Sequence, residues 1–170
     1  PRRGDFFRVR RAKVPLRAVL LKELSVNDSF TVQNFLPLRG ARVPTYLASV
    51  SGTRANPAGV AYGAAKAGLI NATETLAIEW GPKIRVVAAV VGMIVTEEAH
   101  LFYGDEAGIA AIGETLASGR MGVPEEVADV VLFIASPLAR WVTGCSIPVH
   151  GGGEKPGYLD ASTGKVIQPS

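Results

Sequence analysis

A length of 170 residues suits one domain of ordinary size and argues against a multidomain machine. With 48% hydrophobic, 19% charged and 7% aromatic residues, 19 Gly and 11 Pro, the composition is globular and excludes collagen, coiled-coil and linker classes. The net charge is +3, and the single cysteine, Cys145, has no CxxC partner, which excludes a disulfide scaffold and a cysteine zinc site; a reducing, cytoplasmic setting is expected.

The net charge conceals an asymmetry. Arg2, Arg3, Arg8, Arg10, Arg11, Lys13, Arg17 and Lys22 stand against Asp5 alone in residues 1–22, whereas the rest of the chain carries ten basic and fourteen acidic side chains. No aromatic interleaving or nucleic-acid motif accompanies this charge, so it reads as a solvated terminus and nucleic-acid binding is not expected. No apolar run approaches the roughly 20 residues of a spanning helix, and no signal-peptide core follows the basic start, so no membrane partner is expected either.

Past Leu20, helical and strand patterns alternate with short Gly or Pro punctuation. This predicts an α/β layered domain over 20–153, with 1–19 a basic segment and 154–170 a tail without strong period. Residues 20–36 read as an amphipathic helix ending near Pro37. Residues 43–49 (VPTYLAS) read as a short strand weakened by Pro44, which cannot donate to a ladder. A long helix is predicted from Val60 to Trp80, stopped by Gly81-Pro82 and lined with Ala61, Gly63, Ala64, Ala65, Ala67 and Gly68, which permit close packing. Ile84 to Val91 is almost wholly apolar, as a parallel strand covered on both faces would be, and Gly92 opens a loop. Residues 105–118 look helical, Pro124 suits the first turn of a helix running to Ala135, and Cys145 to Val149 makes a last strand. Gly151, Gly152 and Gly153 follow that strand instead of opening a helix, so they read as a turn and not a phosphate loop. Trp80 and Trp141 read as core or interface anchors and Cys145 as a buried small apolar residue. His100 and His150 are too few for a metal site without clustered carboxylates, and none is expected.

Chemistry gathers at Ser49, Tyr62 and Lys66. A spacing of four puts Tyr62 and Lys66 on one helix face. A phenol ordinarily titrates near pH 10, so acid–base work near neutrality needs a shift of roughly three units, about 4 kcal/mol. An ammonium about 4 Å away at an effective dielectric of 20 contributes on the order of 4 kcal/mol, so one lysine is of the right size. Ser49 would complete the set by hydrogen-bonding a substrate oxygen.

The string from Ser49 to Asn71, SVSGTRANPAGVAYGAAKAGLIN, resembles the active-site segment of the short-chain dehydrogenase/reductase family over its whole length, and the Ser-to-Tyr interval of thirteen matches with Ser49 and not with Ser51. KIRVVAAVVGMIVTE resembles the family's next strand and the loop at the nicotinamide end of the cofactor; Gly92 and Thr96 match and Val91 replaces the usual proline. RMGVPEEVADVVLFIASPLARWVTGCSIPVHGG resembles the C-terminal helix and final strand, with His150 where an acidic residue is common. VNDSFTVQNFLP resembles the helix bearing the fourth active-site residue, which would be Asn27.

The resemblance implies a Rossmann-like three-layer fold. It implies an enzyme using NAD or NADP to move a hydride between nicotinamide and a small alcohol or carbonyl substrate. Tyr62 would exchange the hydroxyl proton, Lys66 would lower the Tyr62 pKa and bond the nicotinamide ribose, Ser49 would hold the substrate oxygen and Asn27 a relay water. Gly92, Ile94 and Thr96 would join Tyr62 and Lys66 at the cofactor, and Ser51, Phe102 and Tyr103 would touch substrate, the last two from a lid spanning 96–118. A homodimer or homotetramer is the implied assembly. No Gly-rich first turn resembling the family's pyrophosphate site occurs in residues 1–19, so the parallel sheet is expected to be truncated. The alternative is a catalytically incompetent fragment or homologue that serves as an oligomerisation module through the small-residue face of the Val60–Trp80 helix.

Overall fold

Three five-residue runs, TYLAS, VAAVV and CSIPV, make the sheet. The computed structural model describes residues 43–161, the side chain of Asp160 excepted. Strands β1 (Thr45–Ser49), β2 (Val87–Val91) and β3 (Cys145–Val149) lie side by side in that order, all parallel. Parallel neighbours need crossovers, and helices supply them. Helix α1 (Val60–Trp80) joins β1 to β2. Helices α2 (Ala99–Tyr103), α3 (Glu106–Thr115) and α4 (Pro124–Ala135) lie between β2 and β3, and α5 (Tyr158–Ala161) closes the described chain.

Side chains alternate across a strand, so each strand serves two layers. Leu47, Ala89, Val91 and Val149 face α4 and pack on Val127, Ala128 and Val131, while Val43, Val87, Cys145 and Ile147 meet Ile134 and Val142 further down the same face. Tyr46, Ala48, Ala88 and Val90 point the other way, toward Ile70 of α1. The result is a helix–sheet–helix sandwich of the expected α/β class. Val87, Val127, Val131 and Ile134 are fully buried, each contributing roughly 1.5–3 kcal/mol. Central β2 is covered on both faces, which is why its sequence runs apolar without alternation.

Helices α1 and α4 and strand β3 have the bounds read from the sequence. Other segments differ. The strand expected from Ile84 begins at Val87, because Ile84 N–H donates to Trp80 O in the turn that ends α1, while Arg85 turns its side chain to the carbonyls at the end of α4. The single helix expected over 105–118 is two: Gly104, at φ +80, separates α2 from α3, and the Asp105 carboxylate caps α3 by accepting from Gly108 N–H. Glu154 and Lys155 are not loose tail, since Glu154 bridges to Leu116 and Lys155 N–H donates to Thr115 O. Trp141 is almost wholly exposed and lies outside the core, and Cys145 is half-buried, packed at the margin of the cluster of Val87 and Ile134. The expected helix over 20–36, the basic segment and Asn27 lie outside the described residues. Among the described residues no helix is long and apolar enough to cross a membrane.

Candidate active site

Parallel pairing brings the carboxyl ends of all three strands to one edge. Ser49 pairs with Val91, and Val91 with Val149, so Ser49, Gly92 and His150 all stand at that edge. β1 leaves it through a tight 3₁₀ turn, Val50–Gly52. Ser49, buried and extended, caps this turn: its Oγ accepts from Ser51 N–H at 3.2 Å, which leaves the hydroxyl proton available to an incoming oxygen.

The turn lies directly on α1, and two glycines make that approach possible. A Cβ on Gly52 would stand 2.6 Å from the carbonyl carbon of Lys66, and one on Gly63 2.9 Å from Ser51 O. Where the chain backbones touch like this only glycine fits, and the contact sets Ser49 and Ser51 against the turn of α1 that bears Tyr62 and Lys66. Lys66 reaches inward, its Nζ donating to Leu47 O on β1 at 2.8 Å and standing 5.5 Å from the centre of the Tyr62 ring. Burial holds its pKa below the ordinary lysine value.

The loop after β2 supplies the facing wall. Gly92 lies against His150, whose Cβ a Gly92 side chain would meet at 2.5 Å. Met93 O and Val95 N–H bond to Gly122, so the N–H and carbonyl of Ile94 face the other way and make no hydrogen bond among the described residues. The half-buried Ile94 side chain packs against the α4 core. Thr96 is half-buried, and its carbonyl starts the turn into α2 by accepting from Ala99 N–H. On α2, Phe102 is exposed and Tyr103 half-buried. Burial raises the Tyr103 pKa, and a negative charge on Tyr62 would raise it further, so the second phenol lies within electrostatic reach of the first.

His150 is the one member of this edge to which the sequence assigns no role. Its Nδ1 is buried with no partner among the described residues, and its carbonyl accepts from Gly153 N–H. Gly151, Gly152 and Gly153 all have positive φ, a run that only glycine sustains cheaply, and it lays the chain against Ala117 and Ser118.

A phenol, an ammonium and hydroxyls at the carboxyl edge of a parallel sheet define an α/β protein with its site where such sheets place their ligands. Comparison with known proteins makes the class specific. The family profile described as enoyl-(acyl carrier protein) reductase matches residues 34–154. A 7α-hydroxysteroid dehydrogenase of Bacteroides fragilis is 40% identical over 107 residues, 62% of this chain and 41% of the relative. A 3-oxoacyl-(acyl-carrier-protein) reductase of Aquifex aeolicus is 40% identical over 106 residues, 62% of this chain and 42% of the relative. The solved structure of a 4-hydroxyisoleucine dehydrogenase complexed with NADH superposes with a TM-score of 0.60 at 32% identity, over 65% of this chain and 46% of that one. The chain belongs to the short-chain dehydrogenase/reductase family. It spans less than half the length of these relatives.

Proposed function

We propose that the chain carries the proton-exchanging half of an oxidoreductase site that takes NAD or NADP and a small alcohol or carbonyl substrate. The observation that carries this reading is Lys66, drawn to the sheet by Leu47 O and standing beside the Tyr62 ring, with the Ser49 turn seated on the same helix. Tyr62 gives or takes the hydroxyl proton at its phenol oxygen. Lys66 stabilises negative charge there. Ser49, its Oγ already accepting from Ser51, donates its proton to the substrate oxygen and orients it. Phe102 and Tyr103 border the substrate space from α2, with Ser51 opposite, and Asn27 serves the relay the family resemblance implies.

The described residues fit the nicotinamide end of such a cofactor. The outward N–H and carbonyl of Ile94 match an amide group, Gly92 allows close approach, and the Thr96 hydroxyl and the remaining Lys66 donors suit sugar hydroxyls. When bound, the cofactor supplies or accepts the hydride, while the protein supplies position and charge. The test is titration of the chain with NADH and with NADPH by fluorescence, then turnover with a panel of ketones and secondary alcohols. Saturable binding is expected, with Tyr62→Phe binding cofactor normally but turning over on the order of 10²- to 10⁴-fold more slowly. Absence of saturation with either cofactor at millimolar concentration would overturn the reading.

A second reading, an association module, is favoured by one feature. Ala61, Ala64, Ala65, Ala67 and Gly68 of α1 are exposed, and Thr73 alone on that helix is fully buried. Sedimentation of Ala64→Glu against the parent chain tests it, and an unchanged mass rejects it.

A further inference from the structure

One ion pair at the carboxyl edge of the sheet has no part in the chemistry assigned so far. Arg54 Nη2 donates to Glu154 Oε1, one hundred residues away. Arg54 stands five residues past Ser49, at the end of the turn that Gly52 seats on α1, and Glu154 stands four residues past His150, after the three positive-φ glycines. β1 and β3 are the outer strands of the described sheet, so the pair spans from one to the other past the carboxyl end of β2, where Gly92 opens the cofactor loop. The main chain is fixed at both anchors. Glu154 bridges to Leu116 and Lys155 N–H donates to Thr115 O, while the N–H and Oγ1 of Thr53 both donate to Val50 O. Both side chains are still partly exposed, and Arg54 Nε and the second Glu154 oxygen make no hydrogen bond among the described residues. An ion pair on fixed anchors, open to solvent beside a hydroxyl-binding turn and with donors and acceptors to spare, has the form of a receptor.

We propose that Arg54 and Glu154 receive the polar head of the substrate, and that the substrate is a small zwitterion: an amino acid carrying a secondary hydroxyl, or the matching amino ketone. This rests on the oxidoreductase site proposed above and names what that site takes. Charge selects the class. An anionic head gains Arg54 but meets Glu154, a cationic head gains Glu154 but meets Arg54, and a neutral head gains neither charge. A zwitterion gains both, its carboxylate accepting a forked pair of bonds from the guanidinium and its ammonium donating to the Glu154 carboxylate. Opening the existing pair costs little, because exposed ion pairs are weak, and two pairs then replace one. Ser49 and Arg54 flank one short turn held on α1, so the backbone sets the spacing between the hydroxyl grip and the head receptor. On oxidation the carbinol carbon passes its hydride to the oxidised nicotinamide and the hydroxyl passes its proton to the Tyr62 phenolate, leaving the amino ketone and the reduced nicotinamide.

The test is ligand-observed NMR titration of the full chain, with and without NADH, using three matched probes. These are threonine, 3-hydroxybutanoate, which lacks the ammonium, and 1-amino-2-propanol, which lacks the carboxylate. Threonine should bind at least about tenfold more tightly than either. Arg54→Gln should bring threonine down to the level of the amino alcohol and Glu154→Gln to that of the hydroxy acid, with NADH binding unchanged in both; in turnover the loss should fall in KM and not in kcat. Equal binding of the three probes overturns the proposal, as does 3-hydroxybutanoate binding as tightly as threonine, or a threonine preference that survives both substitutions. Should a variant fail to fold, the ranking of the three probes by the parent decides. The two proposals fail separately. A chain that turns over 2-propanol with NAD or NADP yet ranks the probes equally keeps the oxidoreductase site and loses the receptor, and one that ranks threonine first yet never saturates with NADH keeps the receptor and loses the oxidoreductase site.

Discussion

The Lys66 ammonium donates across 2.8 Å to the main-chain carbonyl of Leu47, nineteen residues earlier and in the next layer. That bond fastens the helix carrying Tyr62 to the strand carrying Ser49. It fixes the height of the ammonium beside the phenol ring and uses one of its three donors. Structure and proposed chemistry thus share one side chain, which makes their separation measurable.

Lys66→Met should lose turnover far more than stability. The variant forfeits a charged hydrogen bond, about 1.5–3 kcal/mol, but is relieved of the desolvation that depresses the lysine pKa, so the net change should be within about 1 kcal/mol. The pH dependence gives the sign. A folded pKa below 10.5 means that the unfolded chain holds more protons just below that pH, so this residue makes stability rise with pH there. Tyr103, raised from 10.0, acts oppositely above pH 10.0. Urea unfolding of parent and variant between neutral pH and 10.0 should show the rise in the parent alone.

Gly52→Ala tests the seat of the Ser49 turn on α1. The new methyl would stand 2.6 Å from Lys66 C and 2.7 Å from Ala67 N, both backbone atoms that cannot swing aside. A cost of about 1–3 kcal/mol is expected. Gly68→Ala meets nothing within 4 Å and should be neutral or slightly stabilising, by up to about 1 kcal/mol from helix propensity. Thermal melts of the two variants compare them, and equal melting temperatures would show that the turn does not sit where described.

The sequence made some of this legible and hid the rest for identifiable reasons. α1 could be bounded because Gly81-Pro82 stops it, α4 because Pro124 starts it, and β3 because three glycines follow it. α2 has five residues, too few for a helical period to emerge. Ile94 sits in a segment whose sequence suggests a ligand loop, yet its half-buried side chain packs against the core, and the pairing with Gly122 turns its backbone outward. Trp141 has the apolar bulk of a core residue yet is exposed, and the carbonyl of the next residue, Val142, is held by Arg85 across 57 residues, a contact that no local pattern announces. Tyr62 and Lys66 were legible through their spacing, but the Leu47 carbonyl that holds Lys66 was not, because a backbone acceptor leaves no mark in sequence.

Gly92→Ala should couple to His150. The added Cβ would lie 2.5 Å from His150 Cβ and 2.8 Å from its Cα, at the loop the proposal gives to the cofactor. A loss of about 1–3 kcal/mol is expected, together with weaker NADH binding. His150→Gly should relieve only part of it, since the main chain at 150 still crowds the new methyl. A double-mutant cycle on unfolding free energy should therefore show coupling of at least about 0.5 kcal/mol, and strict additivity would mean the two residues do not touch.

Glu126→Gln should blunt acid denaturation. Hydrogen bonds from Arg120, then from Val123 N–H, hold this carboxyl at about 2 instead of 4.5. A depressed carboxyl pKa contributes stability that is complete above the unfolded value of 4.5 and is lost as pH falls from there toward about 2. The pair is on the surface, so the contribution is small and salt-screened. Glutamine keeps an oxygen for the Val123 amide but not the charge for Arg120. Melting temperatures followed from pH 6 to pH 2 should fall less steeply in the variant than in the parent, and the two curves should converge at the acid end, where the parent carboxyl is itself protonated. Parallel curves throughout would mean that Arg120 and Glu126 do not pair in solution.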